Sequence, residues 1–191
     1  MTDNLKKEGS GRKSATGSRK RGSAGQARNS HCSFCGERFA PDSPWPRECA
    51  GCGNKSYQNP LPVVVVLVPV GEGIVGIRRN IEPQKGTVTL PGGFLDLGES
   101  WQEGGRREVL EETGIEITGG GLRLFEVMNG LDDTLVIFGL APPQPADVLH
   151  PFSSEETQEV LLIERPREMG FAMHTEVLAR YFREKAPRRP D

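Results

Sequence analysis

Two clusters in this chain have residue types and spacing suited to holding cations. The first is cysteine: all four cysteines fall in one short window, as Cys32-Ser33-Phe34-Cys35 and Cys49-Ala50-Gly51-Cys52. Two C-x-x-C pairs bring four soft thiolates to one point, the ligand set of a tetrahedral Zn²⁺. A closed set of that kind leaves no open position for water, so the zinc is expected to be structural. Gly36 and Gly53 each follow the second cysteine of a pair and permit the tight turn in which backbone N–H groups approach sulfur. Two disulfides or a redox C-x-x-C are the rival readings. The first needs an oxidising compartment, and the second needs one pair rather than two matched ones. His31 adjoins the set as a neighbour rather than a ligand.

The second cluster is carboxylate. In Arg106-Arg107-Glu108-Val109-Leu110-Glu111-Glu112-Thr113-Gly114, Glu111 and Glu112 lie three and four positions after Glu108, so a helix puts all three on one face. Like charges at that spacing destabilise a helix, and a divalent cation removes the cost. Hard oxygen ligands select Mg²⁺, Mn²⁺ or Ca²⁺ over zinc. Arg107, four positions before Glu111, can tether that carboxylate without competing for the metal. A solvated acidic face is the alternative for the three glutamates taken alone.

The elements that must position these residues read as follows. Val63 to Val68 is a β-branched run, expected as a buried strand, and Ile74 to Arg78 completes a hairpin around Gly71-Glu72-Gly73. Thr87 to Leu90 is a further short strand, halted by Pro91-Gly92-Gly93. Ser100 is an N-cap with Glu103 at capping-box spacing, and Gly114 can end that helix in the left-handed conformation. Gly104-Gly105 inside it each cost about 1 kcal/mol against alanine, so close packing is expected to require them. Leu122 to Met128 and Thr134 to Leu140 read as strands around a turn from Asn129-Gly130 to Asp133, and the proline-rich stretch Ala141 to Ser154 as a loop. Val160 to Ile163 is a strand, and from about Phe171 to Lys185 a helix carries Val177, Leu178, Tyr181 and Phe182 on one face. Strands and helices alternate without a sustained βαβ repeat, which predicts an α+β fold with a mixed sheet flanked by helices.

Written from Gly93 to Ile115, the carboxylate segment is GFLDLGESWQEGGRREVLEETGI. It carries every fixed position of the Nudix box, and the chain is identified on it as resembling that family. The resemblance implies a Nudix fold, a curved mixed sheet between helices, over about residues 59–185. It also implies hydrolysis of a nucleoside diphosphate linked to another moiety, with Mg²⁺ or Mn²⁺. By the same resemblance Glu108, Glu111 and Glu112 are metal ligands, Glu99 and Arg107 orient them, and a backbone carbonyl at Gly92 or Gly93 completes the shell. The box leaves the general base open among Glu112, Glu155, Glu156 and Glu159.

The cysteine window resembles a zinc ribbon. The resulting organisation is a disordered basic tail over 1–30, a zinc ribbon over 31–57 and a Nudix hydrolase domain over 58–186. Arg79, Pro83 and Gly86 before Thr89-Leu90-Pro91-Gly92-Gly93 look like relatives acting on ADP-ribose or dinucleotides, FAD among them, although Val88 stands where many of these carry Trp. A ribbon before such a domain also resembles the NADH pyrophosphatases, but their S-Q-P-W-W signature has no counterpart here: the tryptophans are Trp45 and Trp101. RNA-cap-directed activity is a further alternative. For base stacking the sequence does not separate Phe94, Phe125 and Phe138, each of which is as readily core, and His150 and His174 sit in no catalytic constellation.

Composition sets the outer bounds. The formal net charge is −2, yet residues 1–30 carry Lys6, Lys7, Arg12, Lys13, Arg19, Lys20, Arg21 and Arg28 against Asp3 and Glu8, so a +6 tail is joined to a −8 body. A tail with so few large apolar residues cannot offset its ordering entropy and is expected to be disordered. With no aromatic to stack on bases it reads first as a solvated extension, with a weak electrostatic contact for nucleic acid or anionic lipid and an organellar transit peptide as other readings. It also keeps alive a non-enzymatic class: a nucleotide-sensing nucleic-acid binder. The longest apolar run, near Leu61 to Val70, is too short for a bilayer, and no secretory signal is evident. A cytoplasmic protein acting on a small nucleotide, without a membrane partner, is therefore expected. Dimers are frequent among Nudix relatives, so a homodimer is an expectation by analogy.

Overall fold

The structure, a computed structural model, describes residues 29–185. The basic tail expected over 1–30 lies, except for its last two residues, outside this range. The chain divides between Gln58 and Asn59 into two compact units. Among the described residues no helix is long and apolar enough to cross a membrane.

In the first unit β1 (Arg47–Glu48) pairs antiparallel with β2 (Lys55–Ser56). Its buried apolar cluster is only Cys32, Phe39 and Cys49. Phe39 and Trp45 meet edge to face, and the Arg47 guanidinium lies over both rings, 4.5 Å from the Trp45 centroid. Three buried side chains remove too little surface from water to offset the entropy of ordering this segment, so something other than apolar burial must hold it.

The second unit carries β3 (Leu61–Leu67), β4 (Pro69–Val70), β5 (Gly73–Arg79), β6 (Val88–Thr89), β7 (Gly92–Phe94), α1 (Trp101–Thr113), β8 (Arg123–Asn129), β9 (Thr134–Leu140), β10 (Thr157–Ile163) and α2 (Ala172–Lys185). One sheet runs β7-β3-β9-β8, with β3 parallel to β9 and the other pairs antiparallel. The other runs β10-β5-β4, with β6 also on β5. The valine run of β3 is buried on both faces, as its unbroken apolar character demands. Val64, Val66 and Val68 pack with Val109 of α1, whereas Val65 and Leu67 pack with Val177 and Leu178 of α2.

Three elements differ from the sequence expectation. Pro91-Gly92-Gly93 does not simply halt a strand: Gly92–Phe94 pairs with Val65, Val64 and Val63, and a side chain at Gly92 would strike the Val64 carbonyl. β10 begins at Thr157 because Thr157 and Glu159 pair with Arg79 and Arg78 around an irregularity in the register. Within the proline-rich loop, Ala146–Val148 forms a 3₁₀ turn.

Candidate functional site

α1 owes its position to local chemistry at both ends. The Ser100 hydroxyl accepts from the Glu103 N–H while the Glu103 carboxylate accepts from the Ser100 N–H at 2.7 Å. Gly114 ends the helix at φ 70° with its N–H on the Leu110 carbonyl. The Gly104-Gly105 pair answers to packing. A Cβ at Gly104 would stand 2.6 Å from Glu99 Oε1, and one at Gly105 would stand 2.7 Å from Leu122 Cδ1 and 3.0 Å from Val66 Cγ2.

Arg107 is the hub of the exposed side of this helix. Its Nε and Nη2 donate to the two oxygens of Glu99 (3.1 and 2.7 Å), and its Nη1 donates to Glu108 (2.7 Å) and Glu111 (3.2 Å). Nη2 also reaches the Phe94 carbonyl at 3.0 Å, so the guanidinium joins the helix to the end of β7. Glu99 accepts from the Asp96 N–H as well (2.7 Å). The Arg107 hydrogen bonds hold the Glu99 carboxyl below its ordinary range, and Glu99 in turn raises the Arg107 pKa.

Two of the carboxylates are nevertheless drawn inward. Glu108 and Glu112 are buried, while Glu111 is exposed. Burial raises the Glu108 pKa against the pull of Arg107, and it pushes Glu112 up to about 8 although Glu112 accepts the Gly92 N–H at 2.7 Å. Gly93 lies directly on this group: a Cβ there would stand 2.6 Å from both Glu108 oxygens. Glu99, Arg107, Glu108 and Glu111 are thus brought onto one guanidinium, and Glu112 and Gly93 onto the adjoining strand.

Of the glutamates after the proline-rich loop, Glu159 accepts from Arg78 Nε at 2.7 Å, whereas the charge of Glu156 adds to the upward shift of both Glu108 and Glu112. Arg79 opposes that shift at Glu112; its Nε donates to the Pro83 carbonyl (2.8 Å) and its guanidinium lies 5.5 Å from the Phe171 centroid. Phe138 is fully buried in the core, and Phe94 is exposed beside Arg107. Phe125, half-buried against Tyr181 and beneath Arg180, lines a separate cavity of about 500 Å³ with Arg123 and Pro142. His150 Nδ1 meets the Val148 carbonyl at 2.9 Å, and His31 Nδ1 meets the Ser30 hydroxyl. His174 is the neighbour that sequence reasoning missed. It is buried, and its Nδ1 accepts the Leu90 N–H at 3.2 Å. No local spacing signals a contact across 84 positions.

In the first unit the four cysteines are free, and their sulfurs all lie within 4.8 Å of one another. Cys35 and Cys49 are 3.5 Å apart and Cys32 and Cys52 3.7 Å, well beyond a disulfide bond. Gly36 and Gly53 take positive φ and close two matching turns, donating to the Cys32 and Cys49 carbonyls. Backbone N–H groups of Cys35 and Phe34 bring the Cys32 thiol down to about 6. Cys35 has the favourable Glu37 N–H, yet Cys52 and Cys49 push it up to about 12. Four sulfurs this close cannot all ionise unaided, and a tetrahedral cation is the group that fits them.

Several comparisons bear on this arrangement. Two curated relatives are named NAD-capped RNA hydrolase NudC. The Salmonella typhi protein is 29% identical over 87 residues, and that of Escherichia coli K12 27% over 88. These matches cover 45% and 46% of this chain but only 34% of each relative, so the chain matches about a third of their length. Among solved structures, a NUDIX hydrolase from Nitrosomonas europaea superposes with a TM-score of 0.63 at 24% identity, covering 81% of this chain and 91% of that one. A MutT protein from Methanosarcina mazei Go1 does so with a TM-score of 0.53 at 28% identity, covering 69% and 100%. The profile of the NUDIX domain matches residues 59–180, well over half of the sequence, and the chain belongs to the Nudix family.

Proposed function

We propose that this chain is a Mg²⁺- or Mn²⁺-dependent pyrophosphohydrolase that cleaves the pyrophosphate bond of a nucleoside diphosphate derivative: ADP-ribose, FAD or a similar dinucleotide. The observation that carries the reading is the Arg107-centred set, in which one guanidinium gathers Glu99, Glu108 and Glu111 beside the buried Glu112. In this reading Glu108, Glu111 and Glu112 hold the catalytic cation with a Gly93 carbonyl, and Cys32, Cys35, Cys49 and Cys52 hold a structural Zn²⁺. The close approach of Gly93 to Glu108 and the cost of burying two carboxylates side by side both suit a cation there. When bound, the divalent ion offsets charge gathering on the pyrophosphate oxygens and lowers the pKa of water.

The chain's own groups supply the rest. Arg107 keeps three carboxylates in fixed orientation, and the Gly92 N–H holds Glu112. The proton of the attacking water goes to a carboxylate among Glu112, Glu155, Glu156 and Glu159, the set that the box leaves open. A second reading, hydrolysis of a dinucleotide cap on RNA, draws on the NudC relatives and on the eight basic side chains of residues 1–30.

A panel of ADP-ribose, FAD, NADH, dinucleoside polyphosphates and capped RNA, incubated with Mg²⁺ or Mn²⁺ and read by product mass, tests the assignment. Release of a mononucleotide from the first two supports the main reading, and selective decapping favours the second. Turnover that survives Glu111→Gln combined with Glu112→Gln overturns both.

A further inference from the structure

Leu90-Pro91 is where the chain leaves one sheet for the other: Val88 and Thr89 pair with β5, and Gly92–Phe94 pairs with β3. Pro91 has no N–H to place, and its carbonyl accepts from Val66 at 2.9 Å. Leu90 does have one, at a residue only 2% exposed, and a buried N–H without an acceptor is costly. Its acceptor is a side chain, His174 Nδ1 at 3.2 Å. His174 stands in the first turn of α2, edge-on to Phe138 (5.7 Å) and tilted against Phe171 (5.2 Å). Just before that turn, the Gly170 N–H donates to the Val88 carbonyl at 2.8 Å. The start of α2 therefore grips the crossover twice. Two residues beyond Leu90, Gly92 donates to Glu112, and Gly93 then lies on Glu108.

We propose that His174 is a positioning residue for the carboxylate site: by accepting the Leu90 N–H it fixes the crossover that sets Gly92 and Gly93 against Glu112 and Glu108. The inference rests on the metal-dependent reading of that site. Burial, with Arg79 nearby, pushes the His174 pKa down to about 3, so Nδ1 remains a neutral acceptor at working pH and Nε2 carries the proton. A side chain far along the sequence, on the last helix, thus reaches the site through one backbone bond.

His174→Asn and His174→Leu form a matched pair. Both branch at Cγ, but only the asparagine offers an acceptor, its Oδ1, where Nδ1 stood. Mn²⁺ affinity measured by electron paramagnetic resonance should weaken on the order of tenfold in the leucine variant, the size seen when outer supports of a metal ligand are removed. Its kcat should fall by a similar factor while KM stays within about twofold, and the asparagine variant should match wild type in all three. Equal loss in both variants overturns the role, because packing of the ring is then what matters, and so does no loss in either. If neither variant folds, wild-type NMR decides. A Leu90 amide that shifts with Gly92 during a Mg²⁺ titration, with an N–H···N coupling to His174, supports the role; an unmoved Leu90 amide overturns it. A wild-type protein that binds no Mn²⁺ overturns the reading of the site beneath it, while the coupling still reports on the hydrogen bond.

Discussion

The cysteine cluster and the carboxylate helix both crowd like charges, but their surroundings differ. In the first unit four sulfurs lie within 4.8 Å of one another over a buried cluster of Cys32, Phe39 and Cys49, two of which are themselves members of the set. In the second, Glu99, Glu108 and Glu111 are spread around Arg107 on a helix anchored by Val109 in an extensive apolar core. Asn54 offers one sulfur a neutral amide, and no cationic side chain is bonded to a sulfur among the described residues. At the first site, then, a cation would be the missing half of the core. At the second the scaffold stands on its own core, and a cation would complete only the chemistry. Losing the ion should unfold one region and merely silence the other.

The sharpest way to break this contrast is to remove ligands at the cysteine site. Cys35→Ser with Cys52→Ser should abolish zinc binding and collapse the fold of residues 29–58, since zinc binding at such sites is worth about 10–16 kcal/mol of folding free energy. Zinc content by mass spectrometry and amide NMR check this. The amides of residues 59–185 should keep their dispersion, because the two larger apolar clusters lie wholly within that unit. Protein purified without zinc but with an ordered first unit would defeat the claim.

Next in size is Arg107. Arg107→Lys keeps the charge but loses the fork that spans three carboxylates, and it should lower kcat on the order of tenfold to a hundredfold. The same variant should melt at a lower temperature without Mg²⁺ and regain more on adding it than wild type does, because one ammonium cannot bond all three carboxylates at once and the ion would offset the repulsion left among them. Wild-type kcat in Arg107→Lys would show that the carboxylates do not need the guanidinium fork.

How much of this was readable beforehand follows the range of the interactions. The cysteine pairs, the capping box and the carboxylate spacing are local patterns, and they locate the cluster, the helix and the face on which Glu108, Glu111 and Glu112 stand. Arg107 to Glu111 is local too, but Arg107 to Glu99 and to the Phe94 carbonyl depends on how β7 meets α1. Gly92–Phe94 reads as a stop because a Pro-Gly-Gly run has no strand propensity; only its register on Val63–Val65 makes it a strand. Glu156 and Glu159 look equivalent in one acidic stretch until β10 pairs Glu159 with Arg78. His174 is the extreme case, its partner lying 84 positions away.

A smaller effect separates the sites by pH. In the Mg²⁺-free, zinc-loaded protein the folded pKa of Glu112, about 8, is raised above its ordinary 4.5, so the stability tied to its proton is present below pH 4.5 and is lost as pH rises towards 8. Glu108 shifts in the same direction. His174 is depressed, so its contribution runs the other way and is complete above about 6.5. Between pH 6.5 and 8 the carboxylates act alone, and the melting temperature of the second unit should fall by several degrees. Saturating Mg²⁺ should flatten that slope by displacing the proton. A slope unchanged by Mg²⁺ would mean that Glu112 does not meet the ion.

The smallest expected effect tests whether the scaffold of the carboxylate site is as independently built as the comparison holds. On helix propensity alone, Gly105→Ala should stabilise α1 by about 1 kcal/mol. The added methyl would stand 2.7 Å from Leu122 Cδ1, 3.0 Å from Val66 Cγ2 and 3.2 Å from Val64 Cγ2, all in a close-packed cluster. Overpacking of that kind costs about 1–3 kcal/mol, so the net change should be destabilising by at most about 2 kcal/mol. Thermal melts of the second unit read it directly, and Gly105→Ala should leave the zinc content untouched. A variant more stable than wild type would show that α1 can lift from β3 without penalty, and the carboxylate site would then lean on its cation more as the cysteine cluster does.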